Sequence, residues 1–114
     1  MKALIIKKRW LDLILAGRKS WELRGSRTKN LGRIGLIESG SGKVMGICKL
    51  VEVRGPLSVA ELKRTSSRHG VPPRDIGARS PYKRTYAWVL ESPRRLRRPR
   101  AYRHPQGAVI WVNV

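Results

Sequence analysis

Gly17-Arg18-Lys19-Ser20-Trp21-Glu22-Leu23-Arg24 is where the chain changes its hydrophobic period. Upstream, Trp10, Leu13 and Ile14 fall at helical spacing, Leu11 and Leu15 widen the stripe, and Gly17 stands where a helix closes in a left-handed residue. Downstream the pattern alternates, with Trp21 and Leu23 on one face of a strand and Ser20, Glu22 and Arg24 on the other. Before the helix, Ala3-Leu4-Ile5-Ile6 is a short apolar run bounded by lysines and reads as a first strand.

Beyond Arg24, Gly25 to Leu31 is a polar loop carrying Arg27 and Lys29. Ile34 to Glu38 and Val44 to Val53 are strands flanking Ser39-Gly40-Ser41-Gly42-Lys43, whose two glycines predict a hairpin. Gly35 and Gly46, inside strands, point to bulges or barrel corners. Ser58-Val59-Ala60-Glu61 has the form of a capping box, opening a helix to about Ser66 or Ser67. Residues 68–81 read as a basic loop, Tyr86 to Glu91 as a strand, Pro93 to Pro105 as a basic proline-containing link, and Ala108 to Val112 as a closing strand. The sum is one α+β domain over residues 1–114: a small β-barrel or curved sheet of five or six strands with two flanking helices.

Composition restricts the function. Lys and Arg number 26 against 7 Asp and Glu, a formal charge of +19. Residues 1–57 carry 13 basic and 4 acidic side chains and residues 58–114 carry 13 and 3, so the excess is spread through the domain and not confined to a tail. Such charge opposes compaction and favours a polyanionic partner, and 17 Arg against 9 Lys favour bidentate phosphate contacts. Nucleic acid is the first expectation, ahead of an acidic protein partner or an anionic membrane surface. One cysteine, Cys48, excludes an internal disulfide framework, and two histidines add too little for a metal site. No cofactor is expected. No apolar run spans a bilayer and the N-terminus lacks the features of a signal peptide, so the expected compartment is the cytoplasm.

Few residues offer chemistry. His69 and His104 lie in Pro-rich segments and are expected to be exposed polar residues; Cys48 and the four tryptophans are expected in the core. The face shared by Ser20, Glu22 and Arg24, with Lys19 entering it, reads either as a solvated ion-pair cluster or as a pocket wall offering cations to phosphate and a carboxylate to a base amino group. Arg79, Tyr82, Lys83 and Arg84 interleave cations with an aromatic ring, and so do Arg100, Tyr102 and Arg103. Arg94, Arg95, Arg97, Arg98, Arg100 and Arg103 form a run without an acid, expected to track phosphates.

The segment from Gly17 to Arg24 resembles the signature of the ASCH domain family, a branch of the PUA-like superfamily: Gly-x-Lys-Ser/Thr-Trp-Glu-x-Arg after a short helix. The resemblance continues through the hairpin from Gly32 to Cys48 and the closing pattern Tyr86-Ala87-Trp88-Val89-Leu90 to Gly107-Ala108-Val109-Ile110-Trp111. It implies a small barrel with a cleft bearing the signature residues, and binding of RNA or a modified nucleotide. Some relatives are amidohydrolases of acylated cytidine that use a Lys, a Thr three residues later and a downstream Glu. Here Lys19 fills the first place, Glu22 stands in the second, and Arg68-His69-Gly70 occupies the region of the third. Ribonuclease activity, attributed to other relatives, implies Lys19 and Glu22 as a general acid/base pair, with Arg24 neutralising the phosphate.

The function expected from the sequence is therefore RNA binding, with Lys19, Ser20, Glu22 and Arg24 around one nucleotide and the remaining cations on the backbone. A hydrolase is the alternative, and a subunit of a larger ribonucleoprotein a third class.

Overall fold

A computed structural model describes residues 1–77 and 82–114 of the chain. Six strands form one mixed sheet: β1 (Lys2–Ile6), β2 (Trp21–Arg24), β3 (Gly32–Glu38), β4 (Lys43–Arg54), β5 (Tyr86–Ala101) and β6 (Trp111–Asn113). Their order across the sheet is β2-β5-β4-β3-β1-β6, with β1 parallel to β3 and the other pairs antiparallel. The helices are α1 (Lys8–Leu15), α2 (Val59–Arg64) and α3 (Ser66–His69), followed by a 3₁₀ turn at Pro73–Asp75.

The sheet is curled into a half-barrel. Four strand spacings separate β2 from β1, which in a flat sheet is roughly 19 Å. Arg24 on β2 nevertheless donates to the carbonyl of Ile5 on β1 at 2.8 Å. Trp88 on β5 likewise stacks on Trp111 of β6, centroids 5.7 Å apart. Inside the curl lie Leu4, Ile6, Ile34, Leu36, Cys48, Leu50, Trp88 and Leu90, and α1 adds Leu11 and Ile14 to them. A second cluster, built on Ala3, Ile37, Val44 and Val112, takes in Leu96 and Tyr102 from the far end of β5 and the segment after it. No helix among the described residues is long and apolar enough to cross a membrane.

Several expectations hold. The hairpin tip turns through Gly40 and Gly42, both at positive φ, and the Ser58–Glu61 capping box forms reciprocally. Others need correction. The second helix stops at Arg64, where the Thr65 hydroxyl bonds back to the Glu61 carbonyl at 2.8 Å, and α3 follows as a separate turn. The last strand is shorter than expected and leaves Val109 and Ile110 exposed.

The largest correction concerns Pro93 to Pro105, expected as a link: up to Ala101 it continues β5 against β4. Pro93 and Pro99 are tolerated because β2 pairs with β5 only up to Val89, so the rest of β5 is an edge, and both prolines fall at register shifts. Gly46 permits one of these shifts. A Cβ there would meet the backbone carbonyl oxygen of Arg94 at 2.8 Å and Leu15 Cδ2 at 2.6 Å. Gly46→Ala is therefore expected to cost about 1–3 kcal/mol in urea unfolding; an unchanged midpoint would show that the bulge has slack.

Candidate nucleotide cleft and basic edge

The C-terminus of α1 sets the position of Lys19. Gly17 takes φ 75°, its N–H donates to Ile14 O at 3.0 Å, and Arg18 N–H donates to Leu13 O at 2.9 Å, the paired bonds of a Schellman turn. The chain leaves this turn directly into β2, and the Lys19 side chain goes inward. Its Nζ donates to the carbonyls of Trp21 and His69, both at 2.6 Å, and faces Glu22 Oε1 at 3.3 Å. Three acceptors use all three ammonium hydrogens. Burial lowers the Lys19 pKa, the Glu22 carboxylate opposes that shift, and Arg24 adds to it.

Glu22 is held from the other side by Arg24, with Oε2 accepting from Nη2 at 2.9 Å and from Nε at 3.2 Å. Arg24 also lies over the Trp88 ring. Lys19 and Glu22 are 3% and 5% exposed, so the reading as a solvated ion-pair cluster does not describe them. The alternation itself is right: Glu22 pairs with Trp88 and Trp21 with Val89 across the ladder. The polar face of β2 is simply the one turned into the curl.

His69, expected to be exposed, is fully buried. Its Nδ1 accepts from the Val71 N–H at 3.0 Å, which places the hydrogen on Nε2, donated to Leu62 O at 2.7 Å. Burial lowers its pKa below the ordinary 6.5, the bond to Leu62 opposes this, and Lys19 lowers it further. A neutral ring thus fixes the turn whose carbonyl binds Lys19. Cys48 is buried as expected, its thiol pushed up to about 12 by desolvation and so unreactive.

A cleft of about 410 Å³ opens beside this core. Gly17, Lys19 and Ser20 form one side, Glu91, Ser92 and Pro93 the other, with Ile14 and Leu90 also lining it. Its volume suits a nucleotide-sized ligand. The second wall exists because β5 carries an extra residue between Glu91 and Arg94 against Lys49 and Ile47 of β4, with Ser92 at φ 52°. Sequence reasoning misses Glu91, Ser92 and Pro93 as site residues. Ser92-Pro93 within a strand pattern is the available signal, since Pro in a ladder marks an edge or bulge.

Of the expected site residues, Lys19 and Ser20 line the cleft, whereas Glu22 and Arg24 lie behind it. Arg94, Arg95, Arg97, Arg98 and Arg100 are exposed along the edge half of β5, starting at the cleft. Among the described residues only Arg95 of these has an ion pair, with Asp12 at 4.0 Å. Arg103 is exposed beyond them. Tyr102 is not an open stacking platform: it is half-buried against the second cluster and its hydroxyl donates to His104 Nδ1 at 2.8 Å. Tyr82, Lys83 and Arg84 precede the opposite end of β5, where Arg27 also lies, apart from the arginines of the edge half. There Arg27 donates to Gly55 O at 2.8 Å and lies over the Tyr86 ring. Arg79 lies outside the described residues. Among the described residues no three His, Cys, Asp or Glu side chains are grouped to hold a metal ion.

The family model of the ASCH domain matches residues 4–100. The chain belongs to the ASCH domain family. Its fold is similar to the crystal structure of ASCH from Zymomonas mobilis, with 18% identity, a TM-score of 0.69, and coverage of 92% of this chain and 82% of that one. Two single-site variants of the same protein match as well. A serine-to-alanine variant gives 18% identity and TM-score 0.71 over 99% and 87% of the two chains, and a tyrosine-to-phenylalanine variant 20% and 0.67 over 86% and 73%. No curated protein matches the sequence. These likenesses show the same curled-sheet fold.

The buried polar groups of this ASCH domain can be tested one at a time. Lys19→Met leaves the carbonyls of Trp21 and His69 without their donor and removes one partner of a buried pair, so it is expected to destabilise the fold by about 3–5 kcal/mol in chemical denaturation. A loss below about 1 kcal/mol would mean that Lys19 is not structural. For His69 the folded pKa is lowered, so the unfolded chain binds the extra proton first. Stability is fully present above 6.5 and falls as the pH drops below it; in His69→Gln the loss attributable to this group below about pH 6.5 should vanish. Parallel stability curves for the two proteins would contradict this.

Proposed function

We propose that this ASCH domain binds single-stranded RNA in the cytoplasm, holding the phosphate backbone along the edge half of β5 and one nucleotide in the adjoining cleft. The observation that carries this reading is the run Arg94, Arg95, Arg97, Arg98 and Arg100, exposed on an edge strand that starts at the cleft, with a single long ion pair among them. Charges do protect sheet edges from pairing, but a lysine or two suffices for that. Five arginines without an intervening acid supply planar forks matched to phosphate oxygens. Affinity then comes from phosphate neutralisation, and preference among ligands from the cleft.

Hydrolysis by Lys19 and Glu22 has less support. The Lys19 ammonium is committed to three acceptors, and Glu22 is clamped between two cations. Among the described residues the ammonium hydrogens of Lys19 already face three acceptors, and Glu22 does not line the cleft.

Fluorescence anisotropy with labelled single-stranded RNA over a range of salt concentrations tests the reading. Binding should weaken steeply with salt, and replacing Arg94, Arg95, Arg97 and Arg98 together by Ala should flatten the log–log slope by about 0.7 for each phosphate that is no longer neutralised. A slope unchanged in that variant removes the strip from the site. Equal behaviour of single-stranded DNA would make the ligand class nucleic acid rather than RNA. Failure of the wild-type protein to bind RNA even in dilute buffer would assign the strip to an acidic protein partner instead.

A further inference from the structure

We propose that the cleft between α1 and the β5 bulge selects guanine, and that Glu91 is the residue that reads it. This rests on the RNA-binding reading above and specifies its ligand. The acids of this chain are few, and four of the seven are visibly occupied. Asp12 pairs with Lys8, Glu22 with Lys19 and Arg24, and Glu52 with Arg54, while Glu61 closes the cap of α2. Glu91 is different. It is exposed, it lines the cleft, and among the described residues it makes no ion pair, although Lys49 stands opposite it in the ladder and Arg94 and Arg95 follow three and four residues on. A carboxylate here repels the phosphates that the neighbouring arginines attract, so its place in the wall suits a ligand group that donates to it.

The remaining polar groups narrow that ligand. Lys19 has no hydrogen left to give, and the side-chain hydroxyls of Ser20 and Ser92 make no hydrogen bond among the described residues. Among its side chains the cleft wall therefore carries two carboxylate oxygens, acceptors only, and two hydroxyls that donate or accept, with the partly exposed Pro93 beside them. Guanine offers two adjacent donors, N1–H and the N2 amino group, that meet both oxygens of one carboxylate, and its O6 accepts from a hydroxyl. Adenine and cytosine each set a ring-nitrogen acceptor beside the amino group, facing the second oxygen with like charge. Uracil flanks its single N–H with two carbonyls. Glu91 and Ser92 are consecutive residues of the cleft wall, Ser92 at φ 52° in the bulge, and the arginine strip that would meet the flanking phosphates begins two residues on.

The test uses the whole protein and oligouridine heptamers whose central base is G, A, C, U or inosine, titrated at several salt concentrations. The G heptamer should bind about tenfold or more tightly than the A, C and U heptamers, the scale of one bidentate base contact. Inosine, lacking the N2 amino group, should lose most of that advantage. Glu91→Gln, a change at an exposed position, should bring G, A, C and U within about twofold of one another while the salt slope stays as in the wild type. Equal binding of the four bases by the wild-type protein with a steep salt slope overturns guanine selection and leaves RNA binding standing. A G preference that survives Glu91→Gln overturns the role of Glu91. No binding of any heptamer in dilute buffer overturns both readings.

Discussion

The curl of the sheet is pinned by one buried ionic chain that runs from α3 to β1 through Lys19, Glu22 and Arg24. Lys19 ties β2 to the last turn of α3 through the His69 carbonyl, Glu22 joins the two cations, and Arg24 ends on the Ile5 carbonyl. A buried ion pair gains little net free energy when its desolvation is counted, so its contribution here is geometric more than energetic. Apolar side chains would fill the same space, but they would not fix the edge of β2 against the end of β1 at hydrogen-bond precision. Satisfaction is complete: among the described residues no buried side-chain nitrogen or oxygen lacks a partner. That completeness is what permits a lysine and a glutamate to sit in a core shared with Trp88.

The same chain explains what is legible in the sequence and what is not. Period two in Ser20 to Arg24 correctly tells which side chains share a face. Which face is inside depends on the closure of the sheet, a contact between strands four places apart that no local pattern records. Trp21 shows the complementary case: it is buried although it lies on the other face, with Arg54 and Arg68 against its ring. The hairpin at Gly40 and Gly42, the Schellman turn at Gly17 and the capping box at Ser58 are readable because each is closed by hydrogen bonds within a few residues. The burial of His69 is not readable in this way, because it is decided by α3 packing on β2, and proline in its neighbourhood says nothing of that.

Pro93 to Ala101 escapes the local rules for a related reason. Those rules demote a proline-bearing, arginine-rich segment from the sheet, and they describe interior strands. Here β2 is so short that the second half of β5 has a neighbour on one side only, and an edge accepts both proline and charge. The residue types that argue against a strand are those that keep an exposed edge soluble. Composition supplies the sign and size of the charge, but only the topology places five of the arginines along one exposed edge, with Arg94, Arg95 and Arg100 held in the ladder.

The bulge at Glu91–Pro93 joins these parts. A regular β5 would carry its alternation unbroken past Leu90 and leave no second wall opposite Ser20. The extra residue interrupts the ladder against Ile47 and Lys49, and Ser92 takes a left-handed backbone that L-residues other than Asn, Asp and Gly seldom adopt. Such a conformation persists only where the surroundings over-determine it, and here Leu90 N–H is fixed to Ser20 O at 2.7 Å on one side while Arg94 is paired with Ile47 on the other. Gly46 completes the arrangement by letting the Arg94 carbonyl approach where any side chain would block it. One irregularity in one strand thus makes the cleft wall and starts the basic edge, so the spacing between the cleft and the first arginines of the edge is set by the backbone.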